Sequence, residues 1–433
     1  MVSVRPDFWS QATGLWAVQV GHKAAVLGFS FIVGHRLGAE GVGVMASVLA
    51  MSWIGGTIAG MGLPDRAVFR GAAADVTEEH HRFHGFFLCS VALVHWVFWL
   101  GAGLLGGTTD PELVRFAQGL VVGAGAQCGS SVGLSWLRGA NQVRPEITAT
   151  VGSSVVLVAG ALAGIPLGWT WSMGGLAMLL GALWGNRKDG IMPAMPALGD
   201  VPRVVREGVP YLLFGLGAWL IGNADILLAR FAHPPDAVGS LQVGTMAVRG
   251  LGLVPWVAAT LMLRALHKEW ANGGRPRPLR WAFRASGVGV LVAALAWLCL
   301  PFLAQGHGIS VASIEHPTWA AMLIAPVLYP VILLLPIAGQ WNMGQTLRAI
   351  GMGLMTQVGV GFMAVGILDV ASVTLVAGVG QLVTLLWLVN NLASTRGQRL
   401  EVDGGASLPS VDGAGDAGQI SPSVQVGSAR SEE

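Results

Sequence analysis

The sequence predicts an all-α membrane protein, with about twelve transmembrane helices in two six-helix bundles around a central cavity. Three observations predict it. Charged residues make up 11% of the 433-residue chain and apolar residues 53%, whereas a soluble domain carries roughly 25% charge. Apolar runs recur throughout, most of them near the roughly 20 residues that cross a hydrocarbon core about 30 Å thick. Twenty of the 25 Lys and Arg residues fall in every second connection between those runs. Basic connections are retained on the cytoplasmic side, so the alternation sets orientation, with both termini inside. The basic side collects Arg5; Arg66, Arg70 and Arg82; Arg138 and Arg144; Arg187, Lys188, Arg203 and Arg206; Arg264, Lys268, Arg275, Arg277, Arg280 and Arg284; Arg348; and Arg396, Arg399 and Arg430. The opposite connections hold only Arg36, Arg115 and Arg230, which leaves Lys23 and Arg249 at mid-membrane depth.

The elements follow in order. Six helices are expected at 9–34, 42–63, 83–106, 112–136, 147–167 and 169–186, forming an N-terminal bundle over 1–186. The first run lacks a basic region followed by a small-residue cleavage site and contains His22 and Lys23, so it reads as an uncleaved helix. Residues 187–208 are basic and Pro-rich, which suits a cytoplasmic linker. A second six-helix bundle over 209–393 has helices at 209–232, 237–263, 282–304, 317–338, 348–368 and 370–392. The tail over 394–433 is rich in Gly, Ser, Asp and Val without periodicity and is expected to be disordered. Glycine is abundant inside the apolar runs, for example Gly125, Gly129, Gly133, Gly351, Gly353, Gly359 and Gly361, where small residues let helix backbones approach closely.

Several function classes find no support. The net charge of +2 is explained by topology and gives no sign of nucleic-acid binding. Cys89, Cys128 and Cys299 lie in apolar runs without paired spacing, so neither a disulfide framework nor a zinc site follows. His80, His81 and His84 have metal-like spacing, but they sit at a cytoplasmic helix start without HExxH order or a second cluster. There is no GxxxxGK[ST] loop, and Glu315 and His316 are the only outer-loop residues of note for acid–base work. No catalytic residue, metal or cofactor is therefore expected.

Lys23 is the most informative single residue. A Lys near the bilayer centre costs about 2.5–3.5 kcal/mol on insertion scales, so it should face protein or water. With Gln19 and His22 it forms one polar stripe, readable as an anion-binding surface or as half of an interhelical ion pair. Asp225 and Asn223 lie in the seventh run. Arg249 lies in the eighth, on one face with Gln242 and Thr245. Asp225 and Arg249 either form a structural pair, or Asp225 with Asn223 takes a coupling cation (Na+ or H+) while Arg249 binds phosphate bidentately. Gln127, Ser131, Ser135 and Arg138 line one face of the fourth run, and Thr374, Gln381 and Thr384 one face of the twelfth. Each stripe suits either a cavity wall or interhelical hydrogen bonding.

The halves resemble each other. RLGAEGVGVMASVLA (36–50) and RFAHPPDAVGSLQVGTMA (230–247) both run from Arg through an acidic residue, Glu40 or Asp236, to a Val-Gly pair that opens a helix. Six helices per repeat imply a pseudo-two-fold axis along the membrane normal with a cavity between the halves.

The run RLGAEGVGVMASVLAMSWIGGTIAGMGLPDRAVFR resembles the end of the first helix and the whole second helix of Wzx-type lipid-linked oligosaccharide flippases. These belong to the multidrug/oligosaccharidyl-lipid/polysaccharide exporter superfamily. NADILLARFAHPPDAVGSLQVGTMA is similar to their seventh-to-eighth helix segment, and GQWNMGQTLRA to the loop after their tenth helix. Ser240-Leu241 departs from the pattern, standing where an aromatic residue is common. The resemblance implies a transporter that moves a polyprenyl-pyrophosphate oligosaccharide across the bacterial inner membrane by alternating access, for O-antigen, exopolysaccharide or related surface polysaccharide. It implies the bilayer and other polysaccharide-assembly membrane proteins as partners. Lys23, Arg249, Gln19, His22, Gln127 and Ser131 are the expected substrate-binding residues, and Asp225 and Asn223 the expected coupling-ion residues. The alternatives are a drug or cation antiporter of the same superfamily and a membrane glycan polymerase or transferase.

Overall fold

A computed structural model describes residues 6–70, 74–139, 143–188, 198–251, 278–364 and 369–394, together with Pro255 and Ala259. The described residues are helical and contain no strand. The first half comprises α1 (Pro6–Ala59), α2 (Leu63–Arg70), α3 (Ala74–Leu100), α4 (Ala102–Gly106), α5 (Pro111–Gly139), α6 (Val143–Leu162) and α7 (Leu167–Lys188). The second comprises α8 (Val201–Ala232), α9 (Pro235–Leu251), α10 (Pro278–Leu298), α11 (Leu300–His307), α12 (Val311–Trp341), α13 (Met343–Ala364) and α14 (Val370–Ser394). Among the described residues seven helices are long and apolar enough to cross a membrane, one of them the 43-residue stretch Ala17–Ala59. Large apolar side chains such as Leu104, Trp169, Phe283, Leu298 and Met355 are exposed on the outside, as a lipid-facing surface requires.

Two expected boundaries are corrected. Instead of an unwound connection between the first two runs, α1 continues through a single break at Gly38 (φ 67°, ψ −168°). One residue in the left-handed region, where glycine carries no Cβ penalty, turns the chain without a loop. The stretch over 201–208, read as linker, is the first two turns of α8. Pro202 falls in the first turn, where a missing N–H breaks no helical bond. The intervening residues 189–197, the end of the eighth run and the tail from 395 lie outside the described residues.

Close backbone approach explains much of the glycine. A Cβ at Gly175 of α7 would fall 2.2 Å from the Gly123 carbonyl of α5, and one at Gly119 would fall 2.4 Å from Gly168. Of the glycines singled out in the sequence, Gly125, Gly353 and Gly361 receive His95, Thr384 and Leu228, whereas Gly351 and Gly359 meet open space. The two Val-Gly pairs of the internal repeat meet at the α1–α9 crossing. A Cβ on Gly43 would lie 1.7 Å from the Pro235 carbonyl, and one on Gly239 would lie 1.9 Å from the Ala39 carbonyl. The contact is reciprocal, as a two-fold relation between the halves requires.

In α12, Pro317, Pro326, Pro330 and Pro336 interrupt the backbone ladder. Pro330 frees the Pro326 carbonyl, and Ser286 of α10 donates its hydroxyl to that oxygen at 2.7 Å. A neighbouring helix thus restores the bond that lipid cannot supply. Tyr329 donates to the Val248 carbonyl of α9 at 2.9 Å, and Thr318 to the Gly244 carbonyl at 3.1 Å.

Candidate functional site

A cavity of about 430 Å³ lies at the junction of the halves. From the first half, Lys23, Trp53 and Thr57 of α1, Asp65 of α2, and Cys128 and Ser131 of α5 reach it. From the second come Trp219 and Asn223 of α8, Arg249 of α9, and an apolar wall of Leu328, Ile332 and Leu335 on α12. Among the described residues its charged side chains are therefore Lys23, Asp65 and Arg249.

Four residues expected at the site, Lys23, Ser131, Asn223 and Arg249, are brought together here. Lys23 is accessible from the cavity, and no described carboxylate pairs with it. Ser131 donates its hydroxyl to the Cys128 carbonyl at 2.6 Å, and Asn223 donates its amide to the Trp219 carbonyl at 3.0 Å. The Ser131 hydroxyl oxygen keeps its acceptor lone pairs and Asn223 its amide oxygen.

Gln19 and His22 turn elsewhere. Gln19 donates to Glu146 at 3.1 Å, and His22 Nδ1 lies 2.9 Å from the Ser154 hydroxyl; both partners are on α6. The polar stripe therefore divides, with Lys23 in the cavity and its neighbours on α6; Lys23 and His22 are adjacent and so point about 100° apart on the helix. Gln127 is buried within α5 and is not among the cavity-lining residues.

Asp225 is behind the wall. Its side chain is 2% exposed and that of Arg249 16%, and the two form an ion pair. The same carboxylate oxygen accepts from the Thr374 hydroxyl of α14 at 3.2 Å, while the other accepts from the Ile226 N–H at 3.0 Å. Gln381 donates to the Ile221 carbonyl at 3.0 Å. The Thr374–Gln381 face of α14 is thus engaged with α8. Both Asp225 oxygens have donors, and the arrangement holds the Arg249 guanidinium at the cavity wall.

At one end of the cavity α2 meets α8. Arg66 and Glu207 form an ion pair at 2.8 Å, and Gly62 and Gly208 approach through their backbones. Asp65, one residue from that pair, is the charged cavity-lining residue that sequence reasoning missed; the lining residues Trp53, Thr57, Cys128 and Trp219 were not foreseen either. In the sequence Asp65 belongs to a Gly-Leu-Pro-Asp-Arg exit between apolar runs, and only the helix break at Met61 and Gly62 sets it against the cavity.

The sequence matches no family model and no curated protein. Solved structures resemble the fold. A multidrug-resistance MATE transporter of the MOP superfamily, in an inward-facing conformation, aligns with a TM-score of 0.60 at 16% identity over 89% of this chain and 100% of that one. A MOP-superfamily transporter from Pyrococcus furiosus, whose reverse pocket polarity suggests a different function, aligns at 0.57 and 17% over 90% and 96%. The lipid II flippase MurJ, in an inward closed conformation, aligns at 0.61 and 11% over 88% and 87%. The chain therefore has the multi-pass helical fold of the MOP-superfamily transporters.

Proposed function

We propose that the protein is a transporter that flips a lipid-linked saccharide, a polyprenyl-pyrophosphate oligosaccharide, across the bacterial inner membrane for cell-surface polysaccharide synthesis. The observation that carries this reading is Lys23: an ammonium accessible from a cavity shared by both halves, which the sequence places at mid-membrane depth, with no carboxylate paired to it among the described residues. A cation at that depth is costly in lipid and is best explained by an anionic group that visits it. Arg249 adds a planar donor suited to phosphate. Ser131 and the carbonyl of Asn223 can accept from sugar hydroxyls, while the polyprenyl chain stays in the bilayer. The halves rock about the α1–α9 crossing and open the cavity alternately. Na+ or H+ coupling and other polysaccharide-assembly membrane proteins as partners belong to the same proposal. Its test is translocation of a fluorescent lipid-linked oligosaccharide in proteoliposomes, with and without a Na+ or H+ gradient. Equal scrambling by protein-free liposomes would sink it.

One observation favours a second reading, an organic-cation exchanger. Asp65 brings a carboxylate to a lining that also contains Trp53 and Trp219, and aromatic faces attract cations. Competition by tetraphenylphosphonium for binding, measured against farnesyl pyrophosphate, separates the two.

A further inference from the structure

Asp65 is the charged cavity group that the reading above leaves without a role. It sits in the first turn of α2, just past the break formed by Met61 (φ 48°) and Gly62 (φ 76°). A left-handed conformation at a non-glycine residue is costly and persists only where its surroundings impose it. Here α8 packs directly against the break, since a Cβ on Gly208 would lie 2.1 Å from the Met61 carbonyl and one on Gly62 would lie 2.3 Å from the Gly208 carbonyl. The break lays the start of α2 along α8, and α8 presents Gly215 where Asp65 arrives. A Cβ at Gly215 would stand 2.2 Å from Asp65 Oδ2, so the carboxylate is received by bare backbone. Among the described residues Asp65 has no hydrogen bond or ion pair. Asp225, by contrast, is held by Arg249, Thr374 and the Ile226 N–H.

Among the described residues, no titratable group on the elements around α2 engages it. On α8, Glu207 is held by Arg66, and Tyr211 lies beside Gly62 through its backbone. On α5 there is the buried Cys128, and on α3 the buried His84. Lys23 and Arg249 share the cavity with Asp65 at more than ion-pairing distance.

We propose that Asp65 is a proton-binding site of the cavity. Its carboxylate takes up one proton from cavity water to become the neutral acid and returns that proton when the cavity opens again. A proton fits better than a metal cation, which needs several ligands, since among the described residues no group of three or more His, Cys, Asp or Glu side chains is placed to hold one. Asp65 lies beyond the apolar span Ala17–Ala59, and burial pushes its carboxyl up to about 7, within the range in which cavity water exchanges protons with either side. Protonation changes the charge of the lining from zero (Lys23 and Asp65 balancing, Arg249 offset by Asp225) to +1. An anionic head group then binds more tightly, and by linkage its binding draws a proton in. A cationic substrate would expel one instead. This sign rests on the lipid-phosphate reading; the site itself does not.

The experiment uses the full chain in detergent micelles. Infrared titration between about pH 5 and 9 follows the C=O stretch of a protonated carboxyl group near neutrality. The band is expected in the wild type, absent in Asp65→Asn, and displaced in midpoint in Asp65→Glu and Gly215→Ala. Farnesyl pyrophosphate should bind several-fold more tightly at acid than at alkaline pH, with that dependence reduced in Asp65→Asn to the titration of the probe itself. If farnesyl pyrophosphate fails to bind, but tetraphenylphosphonium binding is weakened by acid in the wild type alone, the proton site stands and the lipid-phosphate reading falls. A band that persists in Asp65→Asn, or identical pH dependence in both proteins, overturns the proposal. Should Asp65→Asn fail to fold, an unshifted midpoint in both Asp65→Glu and Gly215→Ala overturns it equally.

Discussion

Replacing Arg249 by Met should cost more stability than replacing Asp225 by Asn, although the two substitutions break the same ion pair. The difference follows from where each partner is left. In Arg249→Met the Asp225 carboxylate, 2% exposed, keeps only the Thr374 hydroxyl and the Ile226 N–H. Two such bonds are worth about 1.5–3 kcal/mol each at most for a charged acceptor, against a desolvation cost of several kcal/mol per buried ion. A loss of about 3–5 kcal/mol is expected, the range for removing one partner of a buried pair. In Asp225→Asn the guanidinium that remains is 16% exposed and borders the cavity, so water can solvate it. The neutral amide still accepts a hydrogen bond, and the loss should be about 1–3 kcal/mol. The double variant should lose less than the sum, by a coupling of about 2 kcal/mol within the range for contacting residues. Unfolding of the purified protein in mixed micelles of increasing SDS fraction measures all four corners of the cycle. Additive losses, or Asp225→Asn as the costlier change, would refute the assignment of Asp225 as buried behind Arg249.

Three further outcomes are expected. Gly239→Ala should lose about 1–3 kcal/mol through overpacking, because the added Cβ would fall 1.9 Å from the Ala39 carbonyl, whereas Gly351→Ala, where no atom lies within 4 Å, should be neutral in the same unfolding assay. Asp369 accepts from the Ser372 N–H at 3.0 Å and from its hydroxyl at the start of α14, and these bonds hold its carboxyl below the usual range; Asp369→Ala should cost about 0.5–2 kcal/mol. Because the folded-state value is depressed, that contribution is present above the ordinary carboxylate range and is lost as pH falls through the folded value, so thermal unfolding of wild type and variant should converge in acid. Cysteines placed at Arg203 and Gly308 should be labelled from opposite sides of the membrane by an impermeant maleimide, and labelling of both from one side would overturn the charge-derived topology.

Much of the fold was legible because bilayer physics leaves few choices. Spanning runs must be helical, and their Lys and Arg bias shows in composition alone. The α8, α9, α12 and α14 segments were read to within a few residues at their described ends, apart from the early starts of α8 and α12. The single-residue break at Gly38 was not foreseen, since glycine-rich stretches read equally as loops and as close-packed helix. At the site, depth along the helix was readable and direction was not. Lys23 and His22 are adjacent, yet one opens to the cavity and the other contacts Ser154. Neighbouring helical residues point about 100° apart, and a polar stripe three residues wide does not say which of its members faces the cavity and which a neighbouring helix. Asp65 was hidden for another reason: its placement depends on a left-handed Met61, a conformation that no residue pattern signals.

The central claim is that the positive charge of Lys23 serves substrate movement and not the fold. Lys23→Met keeps the length of the side chain, removes the charge, and lightens insertion by up to about 2.5–3.5 kcal/mol. The deciding measurement is the translocation rate of a fluorescent polyprenyl-pyrophosphate oligosaccharide in proteoliposomes, comparing wild type, Lys23→Arg and Lys23→Met at matched amounts of folded protein. Lys23→Met should reach the membrane at least as well as wild type and flip the lipid at least tenfold more slowly, a loss of about 1.4 kcal/mol, with Lys23→Arg retaining much of the activity. Wild-type rates in Lys23→Met would contradict the account.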